Sequence, residues 1–166
     1  MPAAPRLTEL EDAAWQGFLY THHHLWRAVE AGLAPLQVSM AEYGVLSLLA
    51  RAGRGGMRMS ELAQRQVMST GGFTRLADRL ERRGLIERRP TPQDGRGAAA
   101  VLTAQGRSLL RKAWVQHHDD LRRLFFDRLD EADLNELVRI WERLRNDGDD
   151  PGATPGGKGA PPAPPR

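Results

Sequence analysis

The sequence contains no cysteine among its 166 residues. It therefore cannot use a disulfide, a thiolate metal ligand, a cysteine nucleophile or a thiol redox switch. Long apolar runs are also missing, since no stretch approaches the roughly 18 residues that a membrane span requires. The first residues lack the basic-then-apolar pattern of a secretory signal. We therefore expect a soluble protein located in the cytoplasm.

Residue patterns that support catalysis are absent as well. No serine nucleophile or pair of carboxylates stands in a suitable setting. The GRGG at 53–56 lacks the lysine and the serine or threonine of a phosphate-binding loop. We expect no enzymatic activity and no cofactor.

Histidines at 22–24 and at 117–118 raise a metal hypothesis, because imidazole binds zinc, copper and nickel. Neighbouring residues of a helix point about 100° apart. A site would therefore have to combine several elements, for example His22, His117 and Asp120. Histidines at the surface or in an interface are the favoured interpretation, and no metal is expected.

Lysine occurs only at positions 112 and 158, so that almost all basic residues are arginine. The formal net charge is +3, and the pI calculated from the sequence is about 9.9. Residues 58–97 hold nine arginines and five acidic residues, a net charge of +4, whereas the remaining residues together carry −1. This concentration of positive charge in the middle of the chain indicates contact with nucleic acid.

The length and composition are those of a chain with one hydrophobic core. Residues 147–166 are dominated by proline and glycine and contain no apolar residue larger than alanine. This segment is predicted to be a disordered tail, in preference to a polyproline ligand for a partner. No internal repeat is present.

Capping residues and helical periodicity predict two helices in the first third of the chain. Thr8 and Glu11 have capping-box spacing, and apolar residues then recur at helical intervals until Pro35. Ser39 and Glu42 repeat the capping box before a second helix, which ends in a cluster of glycines.

Two further helices are predicted in the basic region. Ser60 is expected to cap a short helix, and Ser69 a longer one that ends at Gly84. The apolar stripe of the longer helix consists of Phe73, Leu76, Ala77 and Leu80. Its opposite face must then present Gly71, Arg75, Asp78 and Arg82, with Thr74 and Arg79 on the flanks.

The segments LIERRP and AAAVLT, separated by the turn-rich TPQDGRG, are predicted to pair as a hairpin. Thr103 is expected to cap a long helix that runs to about Leu129, and Asp130 a last one. Both final helices carry large apolar stripes.

Two helices joined by a tight turn, followed by a basic hairpin, form a winged helix-turn-helix. The second helix fits the major groove, where Arg75 can reach guanine and Thr74 a base edge or a thymine methyl. The hairpin is the wing, and Arg96 at its tip is the candidate for the minor groove. The residues predicted to contact DNA are Ser69, Thr70, Gly71, Gly72, Thr74, Arg75, Arg79, Arg88 and Arg96.

Residues 58–106 resemble the central block of the MarR family of regulators. The wing motif of that family, and the Leu-Thr and Gly that follow it, are matched by Asp94, Arg96, Leu102, Thr103 and Gly106. Gly95 departs from the motif, because the family usually has arginine or another larger residue there. The resemblance implies that Arg96 is the arginine that enters the minor groove.

The expected fold is mainly α, with a small two- or three-stranded β wing: a winged helix-turn-helix with long N- and C-terminal dimerisation helices. Residues 37–103 are predicted to form the DNA-binding region, and residues 1–36 and 104–146 the helical dimerisation region. The apolar stripes support dimerisation, since one chain of this shape cannot cover Trp26, Phe125 and Trp141.

The resemblance also implies an aromatic or phenolic effector, bound between the dimer region and the DNA-binding lobe. Residues that could line such a pocket are Trp15, Phe18, His22, Trp26 and Tyr43, although core packing is an alternative use for them.

The function predicted from the sequence is that of a homodimeric repressor, which binds an inverted repeat in double-stranded DNA. An effector would change the spacing of its two DNA-reading helices. The alternative is a winged-helix module that binds a protein partner without sequence-specific DNA binding.

Overall fold

The computed structural model describes residues 6–90 and 98–146 of the chain. The predicted tail at 147–166 lies outside the described residues. The helices are α1 Glu9–Leu33, α2 Met40–Ala52, α3 Met59–Arg65, α4 Thr70–Arg82, α5 Ala104–Leu124 and α6 Glu131–Asn146. The strands are β1 Met57–Arg58, β2 Ile86–Pro90 and β3 Ala98–Leu102, and short 3₁₀ turns occupy Ala34–Leu36, Gly53–Gly55 and Phe126–Arg128.

Side-chain caps start the longer helices where the sequence predicts. The capping boxes of α1 and α2 are both complete, with Thr8 bonded to Glu11 and Ser39 to Glu42. The fourth predicted helix begins at its Ser69 cap, and Gly84 follows it with a φ of 66°. These start signals are local hydrogen bonds, which explains why the sequence predicts them well.

The predicted hairpin is present and belongs to a three-stranded antiparallel sheet of order β1-β3-β2. Ala99 of the central strand pairs with Arg58 on one side and Arg89 on the other. The alanines of this strand are poor strand formers, yet Ala100 is completely buried. A side chain on the neighbouring Gly56 would meet the Ala100 carbonyl oxygen at 2.2 Å, so only small residues fit where these strands meet.

The main core lies between α2, α4 and the sheet. The apolar stripe predicted for α4 is buried as expected. It packs in one cluster with residues of α2, α3 and α5, among them Val45, Leu46, Leu49, Leu62 and Leu110. By contrast, residues 6–24 of the N-terminal segment and most of α6 are exposed.

Thr103 joins three parts of this lobe. Its hydroxyl donates a 2.7 Å hydrogen bond to the carbonyl oxygen of Gly84, just after α4. Its backbone N–H donates to the Leu85 carbonyl at 3.1 Å. The same hydroxyl oxygen accepts the Gly106 N–H at 3.0 Å and so caps α5. The end of α4, the root of the wing and the start of α5 are thus held together.

Two predicted boundaries are wrong. The third helix begins at Met59 rather than after Ser60, because Arg58 is held extended by its pairing in β1 and serves as the N-cap. The helix predicted to reach Leu129 ends at Leu124, where Phe125 leaves the helical region. An extended Leu129 is needed before Asp130, which exchanges capping hydrogen bonds with Asp133.

Among the described residues, no single helix is long and apolar enough to cross a membrane.

The close packing of α5 against Leu85, just before β2, and against Leu102 of β3 yields a prediction about Gly106. A Cβ at this position would lie 2.0 Å from the Leu85 carbonyl oxygen and 2.9 Å from Leu102 Cδ1. We expect Gly106→Ala to lower the free energy of unfolding by about 1–3 kcal/mol, because α5 must move off the sheet. Ser108→Ala, at an exposed position of the same helix, should cost nothing. Urea unfolding of both variants checks this, and equal stabilities would contradict the packing described.

Candidate nucleic-acid interface

The first half of α4 forms an exposed, uncharged surface. Ser69 caps the helix by accepting the Gly72 N–H at 3.2 Å, and Thr70 and Gly71 follow it at the surface. The early N–H groups of a helix carry partial positive charge, which favours an anion such as phosphate.

No contact with the described residues explains the glycine at position 71. A Cβ there would meet no atom within 4 Å, whereas one at Gly72 would lie 3.1 Å from the Ser69 hydroxyl oxygen. Glycine disfavours a helix by up to about 1 kcal/mol relative to alanine. Its presence at an open position is consistent with the close approach of another molecule.

Thr74 and Arg75 follow on the exposed face, opposite the buried stripe. The Thr74 hydroxyl donates to the Thr70 carbonyl at 2.8 Å. Arg75 reaches only the Gly71 carbonyl, with its Nε at a long 3.4 Å. It has no ion pair with any carboxylate in the ranges that the structure describes, so its guanidinium is available to a ligand.

Arg79, predicted to contact DNA, is bound within the chain. Its Nε donates to Glu42 Oε1 at 2.8 Å, and Arg83 Nη1 reaches the same oxygen at 3.2 Å. The other oxygen, Glu42 Oε2, accepts the Ser39 N–H at 2.9 Å. Arg79 remains 51% exposed, so that its outer nitrogens still face solvent.

The carboxylate of Glu42 is only 4% exposed and links the start of α2 to the outer side of α4. Burial alone would raise its pKa, but the Ser39 and Arg79 hydrogen bonds and the charges of Arg83 and Arg79 outweigh burial and lower the pKa below its ordinary value. The group is therefore ionised at neutral pH and holds α4 in place through charge-assisted hydrogen bonds.

Arg88 of β2, also predicted to contact DNA, is turned towards α4. Its guanidinium pairs with Asp78, its Nε lies 3.4 Å from Glu81 Oε2, and its backbone N–H donates to Glu81 at 3.2 Å. The next residue, Arg89, is exposed and pairs with Glu87 of its own strand. Arg96 lies outside the described residues.

The aromatic residues predicted to line an effector pocket fall into two groups. Trp15, Phe18, His22 and Trp26 form a row along α1, with successive ring centroids 5.8, 6.1 and 6.0 Å apart, and all four are exposed. Phe18 also lies 5.9 Å from Trp141 of α6. No ring contact among the described residues joins this row to the remaining residue, Tyr43.

Tyr43 instead belongs to a partly buried cluster between α2 and α5. Its ring centroid lies 4.6 Å from that of His117, and burial raises the pKa of its hydroxyl. Burial lowers the pKa of His117. Within the part of the chain that the structure describes, neither His117 Nδ1 nor Trp114 Nε1, nearby on α5, has a hydrogen-bond partner. In the described ranges no three His, Asp or Glu side chains are placed to hold a metal ion.

Known proteins similar to this chain are regulators of one family. A sequence model of the MarR family matches residues 36–97. The chain is 31% identical over 120 residues to the HTH-type transcriptional repressor Mb2911 of Mycobacterium bovis, and the alignment covers 72% of this chain and 84% of that protein. It is 32% identical over 112 residues to the multiple antibiotic resistance protein MarR of Salmonella typhimurium, covering 68% and 76% respectively. The chain belongs to the MarR family.

Solved structures of MarR-family regulators share its fold. AbsC from Streptomyces coelicolor is 34% identical and superposes with a TM-score of 0.78, covering 86% of this chain and 99% of that one. Sco3205 from the same organism, crystallised in complex with DNA, is 29% identical with a TM-score of 0.82, covering 91% and 96%. The winged helix-turn-helix predicted from the sequence is thereby confirmed.

The sequence analysis did not identify the acidic residues that hold α4 and Arg88 in position. Glu42 has a visible capping role, but its pairing with Arg79 spans 37 positions of the chain. Asp78 and Glu81 bind Arg88 across the junction of helix and strand. The excess of arginine on the outer side of α4 could have indicated them, because arginines placed so close together need acidic partners.

The role of Glu42 is tested by Glu42→Gln, which retains a capping side chain and removes the charge. We expect a loss of about 1–3 kcal/mol in unfolding free energy at neutral pH, because hydrogen bonds from two arginines lose their ionised acceptor. Because folding lowers the pKa of Glu42, its stabilisation is present above the ordinary pKa of 4.5 and is lost as the pH falls below it. The difference between the two proteins should therefore shrink in acid.

Glu61→Gln is the matched control, since Glu61 pairs with Arg65 at 3.0 Å on an exposed surface. Loss of this exposed ion pair should lower the free energy of unfolding by at most about 0.5 kcal/mol. Urea unfolding at several pH values measures both effects. A Glu42→Gln protein as stable as the control would show that the buried pairs do not hold α4.

Proposed function

We propose that this MarR-family chain is a transcriptional repressor, and that it binds an inverted-repeat operator in double-stranded DNA as a homodimer. The observation that carries the proposal is the exposed face of α4. It presents small, uncharged residues followed by Arg75, on a helix fixed from behind by Glu42 and Arg88. A rigid helix with such a face fits the major groove.

Three kinds of contact are proposed. Ser69, Thr70, Gly71 and Gly72 approach the backbone with their N–H groups, Thr74 and Arg75 read base edges, and the wing reaches the adjacent minor groove through Arg96. Arg79 and Arg88 contribute mainly by positioning, since intrachain carboxylates hold both. The exposed guanidinium of Arg79 retains donors for a phosphate.

Homodimerisation is supported by the unburied aromatic surface of the terminal helices. Aromatic rings of α1 and α6 are exposed along a continuous row that includes Phe18 and Trp141. Exposed apolar surface of this kind is typical of an interface. A twofold dimer would present two copies of α4 to DNA, which explains the choice of an inverted repeat.

A small aromatic effector is the second part of the proposal. Tyr43, His117 and Trp114 lie where α2 meets α5, and two buried nitrogens of this cluster lack partners. A ligand with polar groups would satisfy them. CouR from Rhodococcus jostii, 25% identical to this chain, was crystallised with p-coumaroyl-CoA.

Arg75→Ala tests the DNA-reading role of α4. The parental protein first selects its tightest duplex from a random library, and both proteins are then titrated with that duplex and a scrambled one at several salt concentrations. We expect a loss of about 1–3 kcal/mol on the selected duplex, because a base contact disappears, and a smaller loss on the scrambled one.

Arg139→Ala is the control, because Arg139 lies on α6 and pairs with Glu136. It should bind both duplexes like the parent. If the parental protein selects no sequence, or if Arg75→Ala binds as tightly as the parent, the reading role is refuted and a protein partner becomes the better explanation of the exposed face.

Phe18→Glu tests the dimer. A charge in the aromatic row should raise the dimer dissociation constant at least about thirtyfold, as loss of a central aromatic contact does in other interfaces. Sedimentation velocity across a range of concentrations measures this. Gln64→Glu adds the same charge at an exposed position of α3 and should leave the dimer intact. A parental protein that is monomeric at all concentrations would contradict the proposal.

A further inference from the structure

The helices α3 and α4 end with the same hydrogen-bond pattern. After α4, Gly84 N–H donates to the Glu81 carbonyl at 2.8 Å and Leu85 N–H to the Leu80 carbonyl at 3.0 Å. After α3, Val67 N–H donates to Gln64 at 3.0 Å and Met68 N–H to Ala63 at 3.1 Å. Both are Schellman motifs, whose central residue must adopt a positive φ.

Val67 is an unfavourable residue for that position. Its φ is 51°, close to the 66° of Gly84. Glycine adopts this region without steric cost, whereas a β-branched side chain there is a conformational outlier. A residue with a Cβ is therefore strained in the left-handed region.

No packing in the described chain offsets that cost. The side chain of Val67 is 83% exposed. Replacing it by glycine would remove the strain and an exposed apolar group together. Strained residues retained at the surface are often used in contacts with another molecule.

The surroundings of Val67 indicate what that molecule is. It lies two residues before Ser69, the cap of α4, and is followed by the exposed residues of the DNA-facing surface. Residues 66–74 carry no charge, between Arg65 and Arg75. A DNA duplex offers two apolar partners to such a surface, the thymine methyl and the carbon edge of deoxyribose.

We infer that Val67 makes an apolar contact with DNA, and that its strained backbone is retained for this contact. The inference rests on the proposed function and adds a contact residue to the same site.

Two substitutions of Val67 test the contact. Val67→Gly should raise the melting temperature by about 2–4 °C, because the strain is released. It should also weaken binding to the selected duplex about tenfold for each half-site, since a valine has two methyl groups and each lost methyl contact is worth about fourfold in affinity. Val67→Ala removes the methyl groups without the flexibility of glycine and should weaken binding to a similar extent. The salt dependence of binding should stay as in the parent, because no phosphate contact is lost.

Gln37→Gly is the matched control. Gln37 is the other non-glycine residue with positive φ in the described ranges, at 54°, and it precedes α2 rather than α4. This variant should also gain stability, but its affinity for DNA should be unchanged.

A duplex with uracil in place of thymine distinguishes a contact with thymine methyl groups from a contact with deoxyribose. If the contact is with thymine methyls, Val67→Gly and Val67→Ala should lose less affinity on the uracil duplex than on the thymine duplex. An equal loss on both identifies deoxyribose. Parental affinity in both Val67 variants, or a changed salt dependence, overturns the inference while leaving the proposed function intact. A parental protein that binds no duplex refutes both.

Discussion

The ion pairs of Glu42 hold helix α4 in its place. One oxygen of this carboxylate closes the capping box of α2. The other oxygen accepts hydrogen bonds from Arg79 of α4 and from Arg83, the C-cap of that helix. Glu42 thereby fixes both the start of one helix and the orientation of another. Since α2 follows α1 through a short turn, the link also ties the orientation of α4 to the helix that carries the aromatic row.

Arg88 repeats this arrangement on the wing side. Two carboxylates of α4, those of Asp78 and Glu81, bind its guanidinium and so join the helix to the strand. Charges that would repel a polyanion are thus neutralised by partners within the chain, while Arg75 stays available. Several arginines of the middle region are neutralised in this way, so that the net positive charge at the described surface is smaller than the sequence suggests.

The elements of this fold are predictable from local patterns, and the errors have physical causes. Thr8, Ser39, Ser69 and Thr103 start helices through bonds within four residues, so the sequence carries the whole signal. The roles of Glu42 and Arg88 depend on partners brought together only by the fold. The positive φ of Val67 was not predicted, because this position of a Schellman motif is usually glycine and a valine there gives no sign of the motif.

The tether at Thr103 gives the lobe a pivot. Because Thr103 joins α5 to the C-terminal end of α4, a rotation of the lobe about this point displaces the opposite end of α4 most. The 13 residues of α4 make a lever about 20 Å long. A tilt of about 10° would then move Ser69 and its neighbours by about 3.4 Å, the rise of one base pair. In a twofold dimer, small changes at the root of α5 would thus change the fit to an operator by a whole step of the duplex.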